Sequence, residues 1–425
     1  MGSAEVDAVA SNQETSVQVR ISRLDSAEGA EAAARICGRF NDDAAACQES
    51  VAEILARVRQ EGDGALLDYC RRFDAPSMEL DGLRVSEAEF AEAEKQADDE
   101  LRATISFAAE RVRSFHEREL PDSWMLTREE GIITGRLVRP VDAAGLYVPG
   151  GREGSTPLVS SVLMNGISAG IAGVRRRVMV TPPNPAGKVH PALLLAARTI
   201  GIDEVYKLGS AWAIAALAFG TTSIAPVDVI AGPGNQYVAE AKRQVMGRVR
   251  IDMLAGPSEV LIVADESANP VFITADMLAQ AEHDPQAMAL AIVASSEQAE
   301  AVNRELARQL PGLSRADIAR TAIQEHGHIF IAESLDAAIA LANDIAIEHL
   351  ELHLAEPWRW LPAIRHAGAV FLGHFSPEAA GDYVAGPNHV LPTMGTAKIA
   401  SALGVETFLK HISLIHYAPE ALAGD

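Results

Sequence analysis

The sequence predicts an α/β protein built from two parallel-sheet units, preceded by a helical N-terminal segment and followed by a short C-terminal appendage. Three observations predict it. Short apolar strands alternate with helical stretches from about residue 135 to 373, joined by brief Gly/Pro turns, which is the pattern of βαβ units. The alternation runs twice, so two such units follow one another along the chain. Before it, residues 28–118 show apolar positions at helical spacing only.

In order, residues 1–16 are polar, with no basic or apolar signal region, and read as a disordered leader. "AACQESVAEILARVRQEGDGALLDYCRRFD" and the tract from Glu87 to Glu119 are helical, with Gly62 and Gly64 as a break. "GRLVRPVDAAGLYVPGG" is strand-like. "RRRVMVTPP", "EVYKLG" and "VDVIAGPG" are strands, separated by the helices "HPALLLAARTIG" and "AWAIAALAFG". The second alternation has the strands "SEVLIVAD", "MALAIVAS", "GHIFIA", "HLELHL" and "GAVFLG", with helices around 271–283, 296–310, 335–343 and 357–366. The division this suggests is a leader at 1–27, a unit from 28–146 plus 259–402 that includes the N-terminal helices, an inserted unit at 147–258, and an appendage at 403–425.

Composition narrows the function. A formal net charge of −22 excludes nucleic acid and anionic membrane as natural partners, since both demand basic patches. No apolar run reaches the ~18–20 residues of a membrane span. The three cysteines, Cys37, Cys47 and Cys70, form no C-x-x-C pair, which suits a reducing cytoplasm. None falls among the motifs below, so aldehyde oxidation through a cysteine thiohemiacetal lacks its nucleophile.

No G-x-G-x-x-G follows any strand and no phosphate-binding P-loop is present. "YVPGGREGSTP" and "AGPGNQYV" are instead Gly-rich turns at strand ends of the inserted unit, readable as plain turns or as a ligand cradle. In "LAQAEHDP" a helix puts Gln280 and His283 on one face and turns Glu282 away. An N/O pair of this kind suits a divalent metal, and equally a polar helix face. "NDIAIEHLELHL" sets Glu348 and His349 side by side at a helix–strand junction, a candidate acid/base pair, with His353 following by strand alternation. The loop "SPEAAGDYVAGPNHVLPT" gathers Asp382, Asn388 and His389 after a strand, where α/β proteins place ligands. Asp382 either completes a metal set with His283 or caps a turn.

Taken together, "GLYVPGG", "IAALAFGT", "VDVIAGPGNQYVAEAKRQV", "IDMLAGPSEVLIVAD", "DMLAQAEHDP", "IEHLEL", "GAVFLG" and the 376–393 loop resemble the histidinol dehydrogenase family, in family order from about residue 30 to 417. The resemblance implies a homodimer with two Rossmann-like units lacking the usual glycine fingerprint. It implies oxidation of L-histidinol through histidinaldehyde to L-histidine with two NAD in turn, and one zinc per subunit that holds the substrate. It assigns Gln280, His283 and Asp382 to zinc, Glu348 and His349 to catalysis, Ser258 and His389 to substrate, and Tyr147 and Asn235 to NAD. The substrate would also lie against Gln280, His283, His349 and Asp382. It puts zinc on the 28–146/259–402 unit and NAD on the 147–258 unit.

Two departures stand out. The family's fourth zinc ligand is a histidine in a C-terminal tail that enters the neighbouring subunit, and this chain stops at Asp425, about where that tail would begin. Trp212 replaces a Gln that touches the cofactor in many members, and either stacks on the dinucleotide or simply packs. These departures keep two rivals open: oxidation of another small polar alcohol, such as a sulfonated diol, and a catalytically incomplete binding protein.

Overall fold

The structure is a computed structural model that describes residues 17–39, 47–150 and 157–423. The chain runs β1 (Arg20–Arg23), α1 (Ala27–Cys37), α2 (Gln48–Glu61), α3 (Asp63–Phe73), α4 (Glu87–Gln96), α5 (Asp99–His116), β2 (Trp124–Glu129), β3 (Ile132–Pro140) and β4 (Ala143–Tyr147). It continues with α6 (Val159–Ile171), β5 (Arg176–Thr181), α7 (Pro191–Thr199), β6 (Glu204–Lys207), α8 (Ser210–Phe219), β7 (Val229–Ala231), α9 (Gln236–Val245) and β8 (Arg250–Ile251). Then come β9 (Glu259–Ala264), α10 (Pro270–Ala281), β10 (Met288–Val293), α11 (Ser296–Gln309), α12 (Ala316–His326), β11 (His328–Ile331), α13 (Leu335–Ile345) and β12 (His349–His353). The last elements are α14 (Pro357–Trp360), β13 (Ala369–Leu372), α15 (Glu378–Tyr383), β14 (Leu409–Tyr417) and α16 (Pro419–Leu422).

Two parallel sheets carry the fold, as the alternation predicts. One has the order β6-β5-β4-β7-β8, the other β1-β11-β10-β9-β12-β13. Their central strands are buried on both faces, which is why "SEVLIVAD" and "VDVIAGPG" read as continuous apolar runs rather than as alternating ones. Strand order reverses beside β4 in one sheet and beside β9 in the other, and a crevice at the C-terminal strand ends there is the usual ligand position in such sheets.

Four details differ from the sequence reading. Arg20–Arg23, placed in the 1–27 leader, is an edge strand paired in parallel with β11. The helices α2 to α5 pack on the 143–251 sheet, not on the 259–372 one: α2 meets α8 and α9, α4 meets α7, and α5 meets α6. Amphipathic spacing says that a helix has a buried face but not which partner covers it, and only α1 joins the other unit, against α13. The helix expected over 357–366 is four residues of α14 followed by one 3₁₀ turn, because Pro362 interrupts it. The appendage is a nine-residue strand, β14, antiparallel to β3 in a third sheet of order β14-β3-β2.

Two glycines are required by close approach. A Cβ on Gly232, at φ +114°, would lie 2.1 Å from the Tyr147 carbonyl oxygen, so the turn after β7 can lie against the end of β4 only without a side chain. A Cβ on Gly368 would lie 2.6 Å from the Glu348 carbonyl oxygen, where β13 enters beside β12. Among the described residues no helix is long and apolar enough to cross a membrane.

Candidate active site

The site is built from three elements whose periodicities point the same way. Strand β12 alternates: Leu350 and Leu352 enter the apolar core, and His349, Glu351 and His353 share the opposite face, all five buried. Helix α10 faces them with Asp276 and Gln280, one turn apart, and His283 lies just beyond its end. Its start is set by Asn269, whose side chain accepts from the Val271 N–H at 2.9 Å, and by Pro270 at the first helical position. Helix α15 presents Glu378 and Asp382, again one turn apart.

His349 is the centre. Its Nδ1 lies 3.0 Å from the Glu259 carbonyl oxygen and 3.1 Å from Gln280 Oε1. Both partners are acceptors, so Nδ1 carries the proton and Nε2 keeps a free lone pair. Nε2 faces Glu378 Oε1 at 3.9 Å. Burial, reinforced by the neighbouring His389 and His283, pushes the imidazole pKa down to about 3, which leaves the ring neutral and able to accept a proton. Glu348 sits beside it, with Oε2 3.6 Å from Nδ1, and accepts the Glu259 N–H at 2.8 Å. Burial drives the Glu348 carboxyl well above its ordinary value, and the charges of Glu259, Asp382 and Glu378 push it further. The two side chains are turned inward just after Ala346, which takes a left-handed φ of +50° between α13 and β12.

His283, Glu378 and Asp382 bring one ligand atom each to within 4.8 Å of one another. Burial keeps both carboxyls above their normal range, Glu378 at about 9, where the charge of Asp382 adds to the rise, and Asp382 at about 6, where a hydrogen bond from Glu378 opposes it. His283, although at the solvent edge, is pulled below the usual imidazole value by the protein around it. The Gln280 Nε2 and the His389 Nε2 are buried with no hydrogen-bond partner. One imidazole nitrogen, two carboxylates and unpaired polar groups at their border form a donor set suited to zinc.

The structure therefore brings His283, Asp382, Glu348, His349 and Gln280 together. His389 joins them electrostatically, since its charge and that of His283 disfavour each other. Ser258 precedes Glu259 at the start of β9, and its carbonyl accepts the Met288 N–H at 3.0 Å. Asn388 does not reach the site: it ties the loop to α6 through the Met164 carbonyl at 3.1 Å. The other candidates lie on the β4–β8 sheet. Tyr147 ends β4, with its hydroxyl accepting the Ser210 N–H at 3.2 Å. Asn235 caps α9 through the N–H groups of Tyr237 and Val238. Trp212 packs against Tyr69 and Phe73, with ring centroids at 5.4 and 5.6 Å, and those two rings lie 6.4 Å from each other, so both sit on the same side of the indole; its Nε1 is buried without a partner. The first Gly-rich turn lies partly outside the described residues.

The sequence reading missed Glu378, Glu351, Asp276 and the Glu259–Arg39 pair. Two signals were present: Glu378 stands four residues before Asp382 and Asp276 four before Gln280, the spacing of one helical face. Beside Glu348 and His349, Asp276, Glu351 and His353 form a second buried cluster. The His353 Nε2 lies 3.1 Å from Glu351 Oε2 and 3.6 Å from Asp276 Oδ2. Burial lifts Asp276 to about 8 and Glu351 to about 7, so a proton resides between them. Glu351 also accepts the N–H of Glu378 at 2.9 Å, which caps the helix carrying Asp382.

Comparison with known proteins gives a consistent result. The histidinol dehydrogenase family model matches residues 38–424. A histidinol dehydrogenase of Desulfotalea psychrophila is 62% identical over 402 residues, 95% of this chain and 93% of that protein. One from a Synechococcus strain is 50% identical over 389 residues, 91% of this chain and 89% of its own length. The crystal structure of histidinol dehydrogenase from Elizabethkingia anophelis superposes with a TM-score of 0.89 at 36% identity, covering 96% of this chain and 92% of that one.

Proposed function

Because this chain belongs to the histidinol dehydrogenase family, we propose that it oxidises L-histidinol through L-histidinaldehyde to L-histidine with two NAD in turn, as the last step of histidine biosynthesis. The observation that carries the reading is His349: a buried, neutral imidazole held on Nδ1, with Nε2 bare, next to Glu348 and to a cluster of metal donors.

Gln280, His283 and Asp382, with Glu378 beside them, would hold a zinc ion, whose chemistry is to fix the amine and imidazole of the substrate as a Lewis acid. Tyr147 and Asn235 would lie against NAD, which when bound would supply hydride acceptance. The remaining work falls to the chain. His349 Nε2 takes the alcohol proton, and its Nδ1–H on Glu259 stabilises the charge that forms. The carboxylate of Glu348, a stronger base than an exposed one because burial disfavours its charge, takes the proton of the water that adds to the aldehyde. Ser258 and His389 border the substrate.

The chain is further proposed to act as a homodimer in the cytoplasm. Trp124 and Leu126 of β2 and Ile415 of β14 leave an exposed apolar surface on one face of the third sheet, of the kind subunit contacts cover. The cysteines in the described residues are free.

The test is NADH formed per L-histidinol with zinc present, alongside a panel of vicinal diols. Two NADH per histidinol is expected. Turnover of a diol but not of histidinol overturns the substrate, and turnover of neither overturns the enzyme.

A further inference from the structure

Both catalytic side chains lean on one residue. The Glu259 peptide N–H holds Glu348 at 2.8 Å, and the Glu259 carbonyl holds His349 Nδ1 at 3.0 Å. The side chain of the same residue is itself clamped. Its two carboxylate oxygens take the fork of Arg39, Nε to Oε1 and Nη2 to Oε2, the latter at 2.7 Å, and Oε2 also accepts the Met394 N–H at 3.1 Å. Arg39 is held in turn, with Nη1 donating to the Ile36 and Ile345 carbonyls at 2.9 and 3.0 Å. Arg39 and Glu259 side chains are 7% and 1% exposed. The pair therefore joins the end of α1, the end of α13, the start of β9 and the loop after the 376–393 stretch at one point behind the catalytic residues.

We propose that the Arg39–Glu259 ion pair is a positioning device for the catalytic residues: by clamping the Glu259 side chain it fixes the two peptide groups that orient Glu348 and hold His349 in its Nδ1–H tautomer. The proposal rests on the reading of Glu348 and His349 as the catalytic pair. A buried, bidentate ion pair is an expensive way to add stability, since apolar packing does as well, but it fixes geometry tightly. The tautomer matters because with the proton on Nε2 the ring has no lone pair for the alcohol. Neither residue touches the metal donors, so substrate binding should be affected less than turnover. The pair also lines a cavity of about 410 Å³, which lets a small cation reach the place of the guanidinium.

The test uses the full chain with zinc, in the variants Arg39→Ala, Arg39→Lys and Glu259→Gln. Arg39→Ala is expected to lower kcat about 10- to 100-fold while KM moves less than about threefold. Millimolar guanidinium should restore part of the rate in Arg39→Ala and leave the unsubstituted protein unchanged. Arg39→Lys should recover little, because an ammonium cannot reproduce the fork. Placed in a His349→Asn background, Arg39→Ala should cost less than in the parent, because only the support of Glu348 is left to lose. Independently of turnover, ¹⁵N NMR of the His349 ring, identified by its loss in His349→Asn, should show protonated Nδ1 in the parent and a mixture of tautomers in Arg39→Ala. If Arg39→Ala does not fold, Glu259→Gln, which keeps the shape but removes the charge and one of the two acceptor oxygens, takes its place with the same expected direction. A folded variant with parental kcat and an unchanged ring signal overturns the proposal, as does a full additional loss in the His349→Asn background. If the parent protein does not oxidise histidinol but the ring signal still responds, the activity reading fails and the positioning role stands.

Discussion

An imidazole is useful as a base when one nitrogen is bare and the other is held, and His349 meets both conditions through contacts made by a strand neighbour. His349→Asn removes the bare nitrogen and should lower turnover by about 10²- to 10⁴-fold. Zinc content, read by elemental analysis, should stay at the parental level, and its loss would mean that His349 is a ligand rather than a base. Glu378→Gln should weaken zinc by about 10- to 100-fold in competition with a chelator, since it removes a charge beside His283 and Asp382. An unchanged affinity would exclude Glu378 from the metal's surroundings. His328 offers a pH prediction away from the site. It is buried, its Nε2 lies 2.8 Å from the Ser22 hydroxyl, and burial, with Arg20 and Arg35 nearby, pushes it down to about 4. A depressed imidazole means that the unfolded chain binds the proton first. The stability it permits is therefore present above the ordinary pKa near 6.5 and is lost as pH falls from there towards 4, by about 1–2 kcal/mol after screening. His328→Phe should flatten the slope of urea stability over that window, and an unaltered slope would show that the ring is not held neutral.

Helix α15 has only six residues and cannot stand alone, so what fixes its first turn fixes Asp382. That support is Glu351, reaching from β12 to the Glu378 N–H. Glu351→Leu removes the acceptor and leaves the N–H buried and unpaired, at a cost of about 1–3 kcal/mol. Zinc affinity should fall with it, whereas Glu351→Gln keeps an acceptor at the same place and should retain most of both. Equal losses in the two variants would show that charge, not the cap, is what matters. The β12 face illustrates how far local pattern reaches. Alternation places His349, Glu351 and His353 together, and helical spacing places Asp276 with Gln280 and Glu378 with Asp382. That the three sets face one another is absent from either pattern, because each pattern describes one element and says nothing of its neighbour.

Across the full chain, the third sheet is the least expected feature and the one with a surface to spare. By the strand register Trp124 and Leu126 share one face with Ile415, and all three are half or more exposed. If this face is the subunit contact, Leu126→Asp with Ile415→Lys should shift the sedimentation profile from dimer to monomer while the far-ultraviolet dichroism stays unchanged. A dimer that survives both charges would place the contact elsewhere.

The division between what the residues announce and what the fold adds follows from distance along the chain. Strand–helix alternation, the capped start of α10, the adjacency of Glu348 and His349 and the polar loop at Asp382 are local, set by steric and hydrogen-bonding rules within a few residues, and they are legible in the sequence. The family motifs add the assignments that spacing leaves open. The side on which α2 to α5 pack, the return of 409–417 as a strand, and the reach of Arg39 to Glu259 across 220 positions are not local. Many partners satisfy an amphipathic helix or an edge strand equally well, and only simultaneous packing of all the elements selects one. The neutral state of His349 belongs to that second kind: its type and position are written in the chain, but its proton is placed by a carbonyl that folding brings beside it.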